Sequence, residues 1–123
     1  MMAAEPADTG VRGTVPGGPV SFQLTALYNH PADAAAFDKH YDEVHAVLAA
    51  KLPDVRSFSV ARPQPGPDGA KPDFHLVAVL VWDSAESMGA SMSSDAGKAA
   101  VADLENFASA GVTMLTGPST SVV

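Results

Sequence analysis

The chain has no cysteine, which excludes a disulfide framework, a thiolate metal site and a cysteine nucleophile. Basic residues are scarce: seven Lys and Arg stand against fourteen Asp and Glu, for a formal charge of -7, and no basic cluster interrupts that balance. Nucleic acid and anionic membrane surfaces are therefore poor partners by electrostatics, and neither is expected. No apolar run approaches the roughly 18 residues a membrane span requires. The start of the chain lacks the basic opening and apolar centre of a signal peptide. The expectation is a soluble, cytoplasmic protein. A Gly-rich phosphate cradle, a nucleophile elbow and a nucleotide fingerprint are also missing, so an enzyme built on this chain is expected to work without a bound cofactor.

What is present begins with a length of 123 residues, enough for one domain of ordinary size. A core of that size has little room for a large cavity in a monomer, so any ligand cavity is expected to be enclosed with help from a second copy. Residues 1–19, "MMAAEPADTGVRGTVPGGP", hold four Gly and three Pro and show neither apolar period, which predicts an N-terminal extension, an arm or a loose tail. The domain proper is expected over 20–119, with a short tail at 120–123.

"VSFQLTALY" (20–28) alternates Phe22, Leu24, Ala26 and Tyr28 against Ser21, Gln23, Thr25 and Leu27, the period of a two-faced strand. From about Ala34 to Leu52 the positions Phe37, Tyr41, Val44, Leu48 and Leu52 recur at three and four, one helical stripe that Pro53 stops. "VRSFSVAR" (55–62) reads as a strand, and "PQPGPDGAKP" after it as a long turn. "DFHLVAVLVW" (73–82) is apolar on both faces, as a covered central strand should be. Asp83 and Ser84 can cap a helix carrying Met88 and Met92, and Ser94 or Asp95 can cap a second one bearing Val101, Leu104 and Phe107 and ended by Gly111. "VTMLT" reads as the last strand.

The order strand, helix, strand, strand, broken helix, strand suits an α+β ferredoxin-like βαββαβ unit: a four-stranded antiparallel sheet with its helices on one face. That leaves the other face bare. In the central strand His75, Val77, Val79 and Val81 share one face and Phe74, Leu76, Ala78, Leu80 and Trp82 the other, both too apolar to leave wet. The bare face is expected to meet its counterpart on a second subunit, closing a dimeric α/β barrel around an apolar lumen.

The stretches "LY" (27–28), "FDKHYDEVHAVL" (37–48), "LPDV" (52–55) and "VWDS" (81–84) before a Ser- and Met-rich helix together resemble the EthD domain family, a branch of the dimeric α+β barrel superfamily, over about residues 22–117. The resemblance implies the same fold and a homodimer. Its chemistry is broader: members carry a general oxidoreductase label, and the wider superfamily includes cofactor-free monooxygenases of aromatic polyketides, polyketide cyclases, lactone isomerases and haem enzymes. Fold alone does not choose among them. Family members often carry a polar Glu or His where this chain has Val79, and that departure argues against a second acid or base there.

Candidate site residues follow from position. Helix residues four apart differ by about 40° and residues five apart by about 140°, so Tyr41 and His45 share a face, and His40, among Asp38, Asp42 and Glu43, is expected on the solvent side. The H-E-x-x-H spacing of a metal pair is missing, and no metal site is expected. His45, where the family motif also has a histidine, is a candidate general acid or base, because imidazole titrates near neutrality. Its structural alternative is a buried imidazole holding a carbonyl. Tyr41 can orient it or serve as a core ring. His75 is expected in the lumen beside Val79, or simply exposed at the strand start. Tyr28, His30 and Trp82 lie at strand ends and can rim the same cavity or only pack, and Met88 and Met92 are spaced for a helix core and can also form an adaptable wall for a flat apolar ligand. The expected function is cofactor-independent oxidation, cyclisation or isomerisation of an apolar aromatic, polyketide or lactone-like molecule, with His45, His75 and Tyr41 catalytic. Alternatives are a non-catalytic accessory or ligand-binding domain and, less favoured, haem binding through His45 or His75.

Overall fold

A computed structural model describes residues 20–123; the extension expected over 1–19 lies outside the described residues. Strand β1 (Val20–Tyr28) leads into helix α1 (Ala34–His40), a π-helical turn (Tyr41–His45) and helix α2 (Ala46–Ala49). Then come β2 (Ser57–Ala61), β3 (Leu76–Trp82), α3 (Ala85–Ser93), α4 (Asp95–Phe107) and β4 (Val112–Thr120). The sheet order is β2-β3-β1-β4, with every neighbouring pair antiparallel. This is the ferredoxin-like α+β arrangement expected from the element order.

Alternation decides which face each strand buries. Leu24, Ala26 and Tyr28 of β1 and Leu76, Ala78, Leu80 and Trp82 of β3 are all buried against the helices. The opposite face carries the partners Thr25 and Val79, Gln23 and Val81, and Thr25 and Leu115, with Leu115 exposed. Trp82, fully buried, donates its indole N–H to the Pro53 carbonyl 3.2 Å away, which ties the end of the first helical segment to β3.

Two expectations about element ends are corrected. β4 runs on to Thr120 through Gly117 and Pro118; it is an edge strand, where a proline removes no ladder hydrogen bond that a neighbour needs. The last helix ends at Phe107, and Gly111, at φ +109, instead forms the turn into β4, where its carbonyl accepts from the Asn29 N–H at 3.1 Å. A positive φ is open to glycine at little cost.

The first helical segment departs from expectation more instructively. Asp33 caps it, accepting from the Ala36 N–H at 3.0 Å. The stripe then starts in register with Phe37 and Tyr41, but the next buried positions are His45 and Ala49, not Val44 and Leu48. Val44 is 40% exposed. The Ala46 N–H bonds to the Tyr41 carbonyl five residues back, so the π turn inserts one residue and moves the inward face along by one.

Helices α3 and α4 meet at a tight joint. Ser94 caps α4 by accepting from the Gly97 N–H at 3.1 Å, and it donates its own hydroxyl to the Ser91 carbonyl. A Cβ at Gly97 would collide with the Met92 carbonyl group. Gly97→Ala should therefore lower stability by about 1–3 kcal/mol, the usual range for overpacking. Urea unfolding checks this, and an unchanged midpoint would show that the joint relaxes freely.

Candidate functional site

Asp103 sits on α4 between Ala100 and Phe107, on the face turned to the first helical segment, and is buried. A buried carboxylate needs donors. Asp103 has three: His40 Nε2 at 2.9 and 3.0 Å from its two oxygens, His45 Nδ1 at 3.0 Å from Oδ2, and the Asn106 side-chain amide at 3.0 Å from Oδ1. Burial pushes the Asp103 carboxyl up, but the hydrogen bonds from Asn106, His40 and His45 outweigh it and hold the group below the ordinary carboxylate range.

An ionised carboxylate only accepts, so Asp103 assigns the proton on His45 to Nδ1. In neutral His45 the other nitrogen, Nε2, is then an acceptor. The Tyr28 hydroxyl lies 3.4 Å from it, a long contact that a better donor or an acid can displace. Burial pushes the Tyr28 phenol well up, with proximity to Tyr41 and Asp103 adding to it, and Tyr41 is raised to about 12, again chiefly by burial. Both phenols therefore keep their protons at neutral pH. Burial also lowers His45, against the Asp103 hydrogen bond and charge, so the imidazole is neutral and free to accept a proton at Nε2.

His45 and Tyr28 line a pocket whose other walls are apolar side chains, among them Leu24, Trp82, Met92, Leu104 and Met114. It measures about 40 Å³, enough for a water or two. Val101 and Met114 line it and are also exposed, so its outer end lies between α4 and β4. A second, more polar cleft of about 400 Å³ lies outside His40, between the start of α1 and the end of α4. Phe107 stands between the two: its ring is stacked with His40 at 5.1 Å and tilted over His45 at 4.7 Å.

Of the residues singled out in the sequence, Tyr28, Tyr41, His45 and Trp82 come together. The Tyr41 ring lies 5.7 Å from Tyr28 and 5.4 Å from His45, and Tyr28, His45 and Trp82 line the same pocket. That pocket is on the helix side of the sheet, whereas a rim on the bare face was expected for Tyr28 and Trp82. Val79 is on the bare face and does not reach it.

His75 is corrected too. It precedes β3, escapes the strand's alternation, and turns to the helix layer, donating Nε2–H to Asp38 at 2.8 Å and meeting the Phe37 ring edge-on at 5.1 Å. His30 donates to the Pro72 carbonyl at 2.7 Å and stands 5.8 Å from the His75 ring. Neither adjoins the pocket.

His40 reverses its expected placement. Five residues separate it from His45, which an ideal α-helix would turn about 140° away, but the intervening π turn brings both rings to one carboxylate. Asp103 is not among the residues singled out from the sequence, although a signal exists: at three residues from Ala100 and four from Phe107 it lies on the apolar stripe of its helix, where a lone carboxylate demands partners.

Comparisons with known proteins agree with this fold. The EthD domain profile matches residues 29–111. An uncharacterised 11.0 kDa protein of Rhodococcus erythropolis, from a thcB-thcC intergenic region, is 42% identical over 94 residues, 76% of this chain and 90% of that protein. A crystal structure of an ethyl tert-butyl ether D (EthD) family protein from Bacillus halodurans superposes with a TM-score of 0.74 at 37% identity, covering 79% of this chain and 96% of the other. At lower identity the likeness is of fold alone. SnoaB of Streptomyces nogalater, a cofactor-independent oxygenase, gives 0.55 at 15%, covering 85% and 94%. A dimeric ferredoxin-like protein of unknown function from Thermobifida fusca gives 0.59 at 11%, covering 87% and 96%.

The site has a pH signature in stability. Unfolded His45 takes up a proton near pH 6.5, and the folded residue resists until lower pH. Between those points the unfolded chain binds more protons, so stability falls as pH drops below about 6.5. Asp103, whose folded value is depressed, contributes stability that is present above about pH 4 and lost as pH falls through its folded value. Unfolding free energies measured from about pH 8 to 5 should decline below about 6.5, and His45→Gln should flatten that decline. An unaltered slope in the variant would remove His45 as its source.

Proposed function

The chain is a member of the EthD domain family, and from that premise we propose that it is a cofactor-independent enzyme that removes a proton from an apolar small molecule, with His45 as general base. The observation that carries the reading is the pairing of opposites at one point: an imidazole whose tautomer is set by a buried carboxylate lines a pocket that is otherwise apolar. An apolar wall gives affinity for a ring or alkyl body, and a lone base gives it orientation. A phenol, an anthrone-like ketone or a lactone with an acidic C–H fits that pairing.

The step is proton transfer from substrate carbon to His45 Nε2, with the imidazolium compensated by Asp103 and Tyr28 free to donate its hydroxyl to the enolate oxygen. Where oxygen follows, a methylene is oxidised to a carbonyl: the CH2 group and one O2 give C=O and one water, so the enolate supplies the electrons and no cofactor is consumed. SnoaB, the cofactor-independent oxygenase, shares the fold, which supports the fit between this scaffold and that class of chemistry. The pocket must widen to take a ring, since ligand sites are commonly about 300–1,000 Å³. Met92 and Met114 are its adaptable walls.

Trp82 lines the pocket and is the chain's single tryptophan, which makes its fluorescence a direct report of occupancy. With 1,8-dihydroxyanthrone as probe, quenching of Trp82 and oxygen-dependent conversion to the anthraquinone are expected. His45→Gln should keep the quenching and lose turnover by about 100-fold or more. Full turnover in the variant overturns the reading, and quenching without turnover by the unaltered protein favours the accessory, ligand-presenting role instead.

We also propose that the bare sheet face pairs with a second copy. Val77, Val79, Val81 and Leu115 form its apolar surface, and dimeric proteins are among those that share the fold. Light scattering at micromolar concentration should give a dimer mass, and Val79→Lys, which puts a charge at the centre of the face, should give a monomer with unchanged circular dichroism. A monomeric wild type rejects the pairing.

A further inference from the structure

Two imidazoles share one carboxylate, but they face different surroundings. The His45 side chain is 8% exposed and turned to the inner pocket, whereas that of His40 is 27% exposed and lines the outer cleft with Asp33, Phe37, Asn106 and Ser109. Asp103 Oδ2 accepts from both rings at 3.0 Å. One negative charge is thus available for two groups that can each become positive. We infer that His40 is a positioning residue for proton transfer at His45: it clamps the Asp103 carboxylate from the outer cleft, and by taking up a proton from solvent it withdraws that charge from the base inside. The inference rests on the proposed role of His45, but its physical content, coupling between two titrations, can be read without any substrate.

The surroundings of both rings bear on the coupling. His45 faces Asp103 of α4, the Tyr28 phenol of β1, and Tyr41 and His40 from its own segment. His40 faces Asp103 of α4, with Asn106 on the same carboxylate and Asp33 across the cleft. Both phenols are neutral, so the shared anion between the imidazoles is Asp103. After burial, His40 is the second influence that opposes protonation of His45, with Asp103 working in the other direction. When His40 is neutral its Nε2–H still holds the carboxylate in line with His45 Nδ1. When it is charged, protonating His45 would leave one positive charge uncompensated, and the base loses proton affinity.

The test is histidine NMR on the intact chain. In the unaltered protein the His45 curve should be broadened, with a Hill coefficient below one, and its neutral form should carry the proton on Nδ1. His40→Gln keeps a neutral donor toward Asp103 and removes the second charge. It should sharpen the His45 curve and move its midpoint up by about half a unit to one unit, the scale of a charge several ångströms away at intermediate dielectric. The acid limb of turnover should shift to higher pH by the same amount. A His45 midpoint and curve shape identical in both proteins overturns the inference and leaves the proposed base untouched. A shifted midpoint with turnover indifferent to His45→Gln upholds the coupling and rejects the base. If His40→Gln does not fold, the wild-type curve decides alone: independent single-proton titrations of His40 and His45 overturn the coupling, and joint broadening supports it.

Discussion

A carboxylate taken out of water must have its lone pairs filled, and Asp103 is filled by donors from two elements: His40 and His45 from the first helical segment, Asn106 from its own helix. That one group fastens α4 to the segment running from α1 to α2, sets which nitrogen of His45 carries the proton, and so decides which nitrogen meets the pocket. The dependence runs both ways. Without the imidazoles the carboxylate would be a buried, poorly compensated charge, and without the carboxylate two ring N–H groups would lose their acceptor, at about 1–3 kcal/mol for each one left buried. Phe107 packs its ring against both imidazoles, at 5.1 Å from His40 and 4.7 Å from His45.

The π turn is the local condition for this arrangement, and it is also where reading the sequence falls short. Phe37 and Tyr41 follow the three-and-four spacing, and a regular helix would continue to Val44 and Leu48. The inserted residue hands those buried places to His45 and Ala49. Nothing in the apolar pattern announces this, because Val44 is as good a core residue as any and only the polarity of His45 hints that it has a partner. The same insertion undoes the angular separation of His40 from His45. An ideal helix separates them, and one bond from Ala46 to Tyr41 brings them to a common acceptor.

The sheet was far more legible. Alternation is a property of the strand itself, so Leu24, Ala26, Tyr28, Leu80 and Trp82 are buried on one face and Val77, Val79 and Val81 lie on the other without any tertiary information. The rule fails at His75 because it was carried one residue past the start of the strand at Leu76, into a bend where the side chain answers to Asp38 instead of to the pleat. Asp103 illustrates a different limit. Its position on the apolar stripe of α4 is visible in the sequence, but the partners that explain it are about sixty residues away in the chain. Contacts of that separation are products of the topology, which brings α4 beside the first helical segment.

The Tyr28 hydroxyl completes the logic of the site. Its phenol is too buried to ionise near neutral pH, so it remains a donor, and with His45 Nδ1 committed to Asp103 it has Nε2 as acceptor. At 3.4 Å that bond is weak, so it covers the nitrogen without locking it. A substrate that gives its proton to Nε2 turns that nitrogen from acceptor into donor, and the Tyr28 hydroxyl must then find another acceptor. The oxygen of the newly formed enolate is the group that appears at that moment. Under the proposed chemistry, proton transfer itself therefore switches Tyr28 from covering the base to stabilising the product anion.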